Sequence, residues 1–551
     1  MKRVSYGNSA KLLSSALALH LMISGSAGAV ANDVNLLKTK VRHVKTDSTH
    51  KAQNPILWAD VPDVAIVRVG RTYYMSSTTM HMSPGLPIMK STDLVNWKIA
   101  SYAYETLADT DELNLKGGKN DYGRGSWASS LAYHDGTFYA TTFSLSTGKT
   151  YIFRTKNPNK TPWKATSFAP LFGDHSLYFD DDGRAYIVHG NNGQMRITEL
   201  KSDLTGVQPG GLDQAIIPNA STVAPGIVGL PAEGSQFRKI NGKYYLCNIV
   251  WPKRDMRTEI IHRADQLTGP YEGRVLFHDQ GIAQGGLIDT PKGDWFAYLF
   301  QDHGAVGRIP FLVPVKWVDG WPVLGVDGKA PTTLNLPASK LGVSGIVASD
   351  EFDRRPGDRP LPLAWQWNHN PDNANWSLAA HPGSLRLTAG RVDPELSQAR
   401  NTLTQRTFGP ESSATTAVDV SHMKDGDFAG LTVFQKKYGF VGVKATGDAR
   451  SIVMVSAKSN KPEEITSIPL AQKTVFLKID CDFKDRADKA YFYYSLNGKD
   501  WSAIGESLHM VYDIPHFMGY RFGLFNFATK TAGGFVDFDF FRLSDKITAL
   551  P

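Results

Sequence analysis

Three carboxylates far apart in the chain stand in the same kind of place. Asp63 in "WADVPDVAIVRVG", Asp174 in "FGDHSLYFDDDG" and Glu233 in "LPAEGSQF" each sit just ahead of a run that leads to a polar turn with glycine. Strands seldom begin with an acid unless it caps, turns or works. Two carboxyl groups across a sugar are the machinery of glycosidic hydrolysis: one stays ionised and activates water, the other stays protonated and donates to the leaving oxygen. A third acid nearby raises the donor's pKa by like-charge repulsion and orients it. Asp and Gly are also ordinary turn formers, so the residue types alone leave a purely structural reading open.

The elements that must position these groups repeat. An apolar strand, a tight turn with glycine and a strand opening on aromatics recur as "VRVGRTYYMSS", "AYHDGTFYATT", "FDDDGRAYIVH", "RKINGKYYLCN" and "DTPKGDWFAYLF". Glycine supplies the positive φ that such hairpins need. The turn glycines, at 70, 136, 183, 242 and 293, are 47 to 66 residues apart, the range of a four-stranded propeller blade with variable loops. An all-β fold follows, with a five-bladed β-propeller over 32–335; a β-sandwich with hairpins of similar sequence is the alternative.

The phase of the repeat adds to this. Nine residues back from the last four turn glycines stand Trp127, Asp174, Glu233 and Gln284, and Asp63 lies seven back from the first. The innermost strands of a propeller run along its axis, so these positions would converge at one end of the channel. Side chains alternate along a strand with period two. Offsets of seven and nine share a parity that Asp60, at ten, does not. On this count Asp63 faces the pocket, Asp60 is an ordinary turn or rim acid, and Pro62 stiffens the chain between them.

These motifs resemble those of family 43 glycoside hydrolases, five-bladed propellers that cleave xylose- and arabinose-containing polysaccharides with inversion. The similarity of "NPILWADVPDVAI" to the family's first motif implies a general base at Asp63. That of "DHSLYFDDDG" implies that Asp174 tunes and orients the acid, and that of "EGSQFRKINGKYY" implies the general acid at Glu233. By the same resemblance "WASS" places Trp127 in the sugar-binding wall, and "GRIPFLVPVKW" implies contact between Arg308 and the sugar at the cleavage point. The resemblance covers most of residues 54 to 325, with departures. Val64, His175 and Ser235 stand where the family has prolines. In "AQGGLID", Gln284 replaces an axial histidine that many relatives associate with a bound ion or water cluster. A neutral amide is a poorer ligand, so no axial metal is carried over and no cofactor is required. Gln284 is retained as a substrate contact. So is His81 in "TTMHMSPG", whose loop is expected to rim the pocket.

The implied activity is inverting, exo-acting hydrolysis of xylosyl or arabinofuranosyl linkages, with an oligosaccharide or polysaccharide as partner. Inversion predicts the carboxyls of Asp63 and Glu233 about 6.5–9.5 Å apart. An endo-acting arabinan hydrolase and a non-catalytic glycan-binding propeller are the alternatives. The run "DDDG" at Asp180 to Gly183 lacks the alternating ligand spacing of a calcium loop and reads as a hairpin turn.

Residues 1–31 carry Lys2, Arg3 and Lys11, a short apolar stretch and small residues at Ala27 to Ala31, the pattern of a secretory leader. The protein is therefore expected in the periplasm or outside the cell, free of the membrane once the leader is removed. The formal charge of +7 includes the leader's three cations; the weak remainder, without a Lys/Arg block, argues against nucleic acid. Cys247 and Cys481 read as buried thiols. Oligomeric state is not legible.

After "NLPASKLGVSGIVASDEFD" the character changes. Residues 336–348 read as a linker. Beyond them, over 349–551, alternating strands such as "ATTAVDVS" and "TVFLKIDCDF" indicate a two-sheet sandwich. "SDEFD" and "FVDFDFFRL" resemble the paired first and last strands of lectin-like jelly rolls that accompany many family 43 β-xylosidases. Asp539, with Glu351, is a candidate for a structural calcium. Trp365 and Trp367 share a strand face and are expected in the core; Trp376 is a further aromatic of this region that could stack on sugar.

Overall fold

The computed structural model describes residues 51–513 and 516–548; the expected leader lies outside them. Five antiparallel four-stranded sheets follow one another in the chain, each ordered simply along it. Their first strands are Ala65–Val69, Ser130–His134, Ser176–Phe179, Val228–Ile240 and Ala283–Asp289. Each turns back at one of the five repeat glycines, all of which adopt positive φ, so the hairpin signal and the fold agree. Apolar side chains of adjacent blades meet in shared cores. Tyr186 and Ile197 pack with Leu246 and Ile260, and Cys247 and Ile261 pack with Leu287 and Leu299. The ring is closed by pairing Lys51–Gln53, ahead of the first blade, with Thr333–Pro337, after the last. The fold is thus a five-bladed β-propeller followed by a β-sandwich.

The sandwich has two broad antiparallel sheets enclosing one core that includes Phe352, Trp365, Trp367, Leu431 and Phe538. Asp350 and Phe541 exchange two backbone hydrogen bonds of 2.7 Å, joining the sandwich's beginning to its last strand. Trp365 and Trp367 are buried, and Trp376 packs on Trp367 with ring centroids 5.2 Å apart. Both cysteines are buried free thiols. Glu351 is held by Arg542 through two hydrogen bonds of 2.8 and 2.7 Å. Among the described residues no group of three or more His, Cys, Asp or Glu side chains could hold a metal. No such group supports the calcium considered for Asp539 and Glu351.

The two domains are joined along their length. Residues 336–348, expected as a linker, are docked on blade one. Asn96 Oδ1 accepts from the backbone N–H of Lys340 and Leu341 at 2.7 and 3.0 Å, and Ile346 and Val347 enter the core around Trp97. Gly345 lies so close to the Trp97 carbonyl that a Cβ would sit 1.8 Å from its oxygen. The short strand Met82–Ser83 leaves blade one and pairs with Gln366–Asn368, becoming the edge of a sandwich sheet.

Candidate active site

Asp63, Asp174 and Gln284 line one small cavity with His175, Gly234 and Ser235. The backbone brings them there by an unusual route. Asp63, Asp174 and Gln284 have φ of 51°, 42° and 63°, and Gly234 has 67°. Left-handed backbone at non-glycine residues costs free energy, and such residues collect where a side chain must be aimed. At Gly234 glycine is also needed for space, because a Cβ would meet Gln284 Cγ at 3.0 Å.

The offset count does not describe how Glu233 arrives. Leu177 N–H donates to Ser130 Oγ, and Phe237 N–H donates to Ser176 Oγ. These bonds align Asp174 with Gly234, not with Glu233. Glu233 lies one residue earlier, in a strand whose register shifts on both sides of it, between Leu230 and Glu233 and again before Gln236. Bulges of this kind re-aim side chains. The sequence parity therefore points to the right neighbourhood through a register the structure does not have.

Asp63 is 6 % exposed and accepts from Arg308 Nη1 at 2.8 Å. Pro62 ahead of it is fixed by its carbonyl, which accepts from Ser77 Oγ at 2.8 Å and from Thr78 N–H at 3.3 Å. Asp60 is not a rim acid. It is buried, and its two oxygens accept from the backbone N–H of Arg308 at 2.8 Å and of Gly519 at 3.1 Å. It therefore holds the strand that carries Arg308 and a sandwich residue together. Burial raises its pKa against the nearby Arg308.

Asp174 and Glu233 are shifted in the direction acid catalysis needs. Burial, then the charges of Glu233 and Asp63, push the Asp174 carboxyl well above its ordinary value. Burial, reinforced by Asp63 and opposed by Arg257, raises Glu233 to about 7. The three acids are thus close enough to act on one another electrostatically. His175 anchors the approach to Asp174: its ring nitrogens lie 2.8 Å from the Phe172 carbonyl and 2.7 Å from Thr141 Oγ1. Gln284 is fixed by its backbone N–H, which donates to Glu259 Oε2 at 2.6 Å. Burial holds the Glu259 carboxyl well above its ordinary range.

The aromatic wall comes from both domains. The half-buried Trp127 ring stacks with Phe143 at 6.0 Å and packs against Phe517 of the sandwich at 4.7 Å. Arg308 Nη2 donates to the Phe517 carbonyl at 3.4 Å. The Phe300 ring lies near the guanidinium groups of both Arg257 and Arg308, at 5.6 and 5.3 Å. Asp302 pairs with Arg257 at 2.8 Å. Sequence reasoning did not reach Phe517, Arg257, Phe300 or Asp302, since none carries a motif and Phe517 comes from the other domain.

His81 is not where it was expected. It is 1 % exposed, between the domains, with its ring 4.5 Å from that of His369, 4.6 Å from Tyr122 and 5.2 Å from His516. Burial holds it well below the usual imidazole range. Pairing of Met82–Ser83 with the sandwich draws the loop inward, so His81 is an interdomain core residue, not a substrate contact.

Comparison with known proteins converges on one family. A model for glycosyl hydrolases family 43 matches residues 52–322, and one for the beta xylosidase C-terminal concanavalin A-like domain matches 349–544. A beta-xylosidase of Formosa agariphila is 30% identical over 89% of this chain and 89% of its own. A non-reducing end alpha-L-arabinofuranosidase of Bacteroides ovatus is 30% identical over 69% of this chain and 73% of its own. The solved structure of a bifunctional GH43-CE protein of Bacteroides eggerthii superposes with a TM-score of 0.89 at 60% identity. That match covers 91% of this chain, which spans only 64% of the longer protein.

Proposed function

The chain belongs to glycosyl hydrolases family 43, and on that premise we propose that it is an inverting, exo-acting hydrolase. It releases xylose or arabinofuranose from plant cell-wall polysaccharides or their oligosaccharides. The observation that carries this is the pairing of two carboxyls in opposite electrostatic settings. Asp63 is ion-paired with Arg308, whereas Glu233 is raised to about 7 by burial and by Asp63. One carboxyl held by a cation beside another that keeps its proton is the arrangement expected of a base and an acid.

In the proposed cycle Asp63 takes a proton from a water as its oxygen attacks the anomeric carbon. Glu233 gives its proton to the glycosidic oxygen as the bond between that oxygen and the anomeric carbon breaks. Asp174, which the charge of Glu233 helps to hold above its ordinary value, is close enough to orient the acid. Arg308 steadies Asp63 and reaches the sugar side of the pocket, and Trp127 offers its face to the ring. Exo action is supported by Phe517 packing on Trp127, which walls off one side of the site. The residue pattern at 1–31 supports export.

The test is product analysis on linear arabinan, xylobiose, aryl β-xyloside and aryl α-L-arabinofuranoside. Only monosaccharide, released from chain ends, is expected. Internal oligosaccharides from arabinan would replace exo by endo action, and no turnover on any of the four would remove the catalytic reading.

A further inference from the structure

Behind the catalytic wall is a second cavity, of about 350 Å³, bounded by the segment that joins blades one and two and by the face of the sandwich. Tyr122 enters it from the propeller; Glu395, Gln398, Gln435, Lys436 and Tyr438 enter it from the sandwich. It is distinct from the cavity that Asp63 and Asp174 line, with which it shares no lining residue. The chemistry of its walls is specific. One carboxylate and one ammonium leave no net charge from these residues, which suits neither an anion nor a cation. The rest are amides, hydroxyls and aromatic rings, able to give and accept hydrogen bonds around a small body.

Much of this wall is already ordered. Glu395 accepts from Ser397 Oγ at 2.6 Å and from the Tyr438 hydroxyl at 3.2 Å. Gln435 Oε1 accepts from Lys436 N–H at 2.7 Å. Gln398 is the exception: its Oε1 is buried without a hydrogen-bond partner. A buried acceptor left unpaired costs about 1–3 kcal/mol, a penalty that a donor on a bound molecule relieves. Amides and hydroxyls beside aromatic surface, in a volume of a few hundred Å³, are the features of a small-molecule site.

The cavity shares its back wall with the catalytic pocket. Residues 516–519 run between them. On the cavity side, the His516 ring stacks on Tyr122 at 4.8 Å, and Gln435 Nε2 donates to the Met518 carbonyl at 3.4 Å. On the catalytic side, Phe517 packs on Trp127, and Gly519 N–H donates to Asp60. A molecule in the cavity would touch one face of a segment whose other face lines the reaction.

We propose that this cavity is a second, non-catalytic binding site for a neutral pentose or short pentose oligosaccharide. The class of ligand follows from the walls: uncharged, rich in hydroxyls, and small. Its identity as a pentose rests on the functional reading above, since the substrate and product of that reaction meet the same description and are released beside it.

The experiment uses the full chain carrying Glu233→Gln, so that sugar is not consumed. Binding of xylotriose is titrated calorimetrically, and the titration is repeated with Asn460→Trp added. Asn460 is exposed on the cavity rim, so the larger ring blocks the mouth without entering a core. Gln398→Leu serves as an independent second variant. Two sites per chain are expected, falling to one with either added change, while the remaining affinity moves less than twofold. A single site, unaffected by both changes, would overturn the proposal. Loss of the other site instead, together with no hydrolysis of aryl pentosides by the unmodified chain, would overturn the functional reading and leave the cavity standing.

Discussion

Replacing Glu233 by glutamine separates the two roles that its environment gives it. The side chain is kept in shape but cannot ionise. In the folded protein the carboxyl is raised from 4.5 to about 7, chiefly by burial and then by Asp63. A group whose folded value exceeds its unfolded one contributes stability that is whole below about 4.5 and is lost as pH rises through about 7. At about 1.4 kcal/mol per tenfold the span amounts to roughly 3 kcal/mol, and partial exposure reduces this to about 2 kcal/mol. The variant lacks that loss, and it also removes a charge that repels Asp174. Denaturant unfolding at pH 5 and pH 8.5 is the assay. Glu233→Gln should be close to the unmodified protein at pH 5 and more stable by about 2 kcal/mol at pH 8.5, while hydrolysis of xylobiose falls by about a thousandfold or more. A stability difference that is the same at both pH values would refute the electrostatic reasoning. Normal turnover would refute the role.

The other expectations concern the groups around the acids. Arg308→Met leaves Asp63 buried without its partner and should cost about 3–5 kcal/mol in unfolding free energy, with hydrolysis lost as well. Asp60→Asn can accept with only one oxygen, which orphans either Arg308 N–H or Gly519 N–H; unfolding should show a loss of about 1–3 kcal/mol. Phe517→Ala removes the sandwich ring from Trp127 and should lower kcat/KM on aryl pentosides about tenfold, near 1.4 kcal/mol, measured on the folded variant below its unfolding transition. In the unmodified protein kcat/KM should fall as pH rises through about 7, because Glu233 must hold its proton; a flat profile from pH 6 to 8.5 would contradict that assignment.

Much of the propeller was legible because its information is local. Each hairpin carries its own turn glycine and aromatic strand opening, and five such units need only be counted. The sandwich was legible for the same reason, through alternating strands and matching first and last segments. The site was legible in part. Asp63, Asp174 and Gln284 come together as the repeats suggest, and Arg308 joins Asp63 as the family resemblance implies, but Glu233 reaches them through bulges, and no residue count foretells a register shift. Asp60 looked ordinary because its partners, Arg308 and Gly519, lie 248 and 459 residues away. His81 was misplaced for a related reason: nothing in "TTMHMSPG" reveals that Met82 and Ser83 pair with a strand of another domain. Phe517 and Arg257 have no motif around them, and only the packing of distant elements brings them to the pocket.

The central claim is a single displacement at the anomeric carbon, with Asp63 activating the water and Glu233 supplying the proton. The most direct measurement is the proton NMR spectrum of the first product from an aryl β-xyloside, recorded before mutarotation. α-Xylose should appear first, with the β anomer growing in only as the two equilibrate. β-Xylose appearing first would mean retention, and with it a covalent intermediate that this assignment of the carboxylates does not allow.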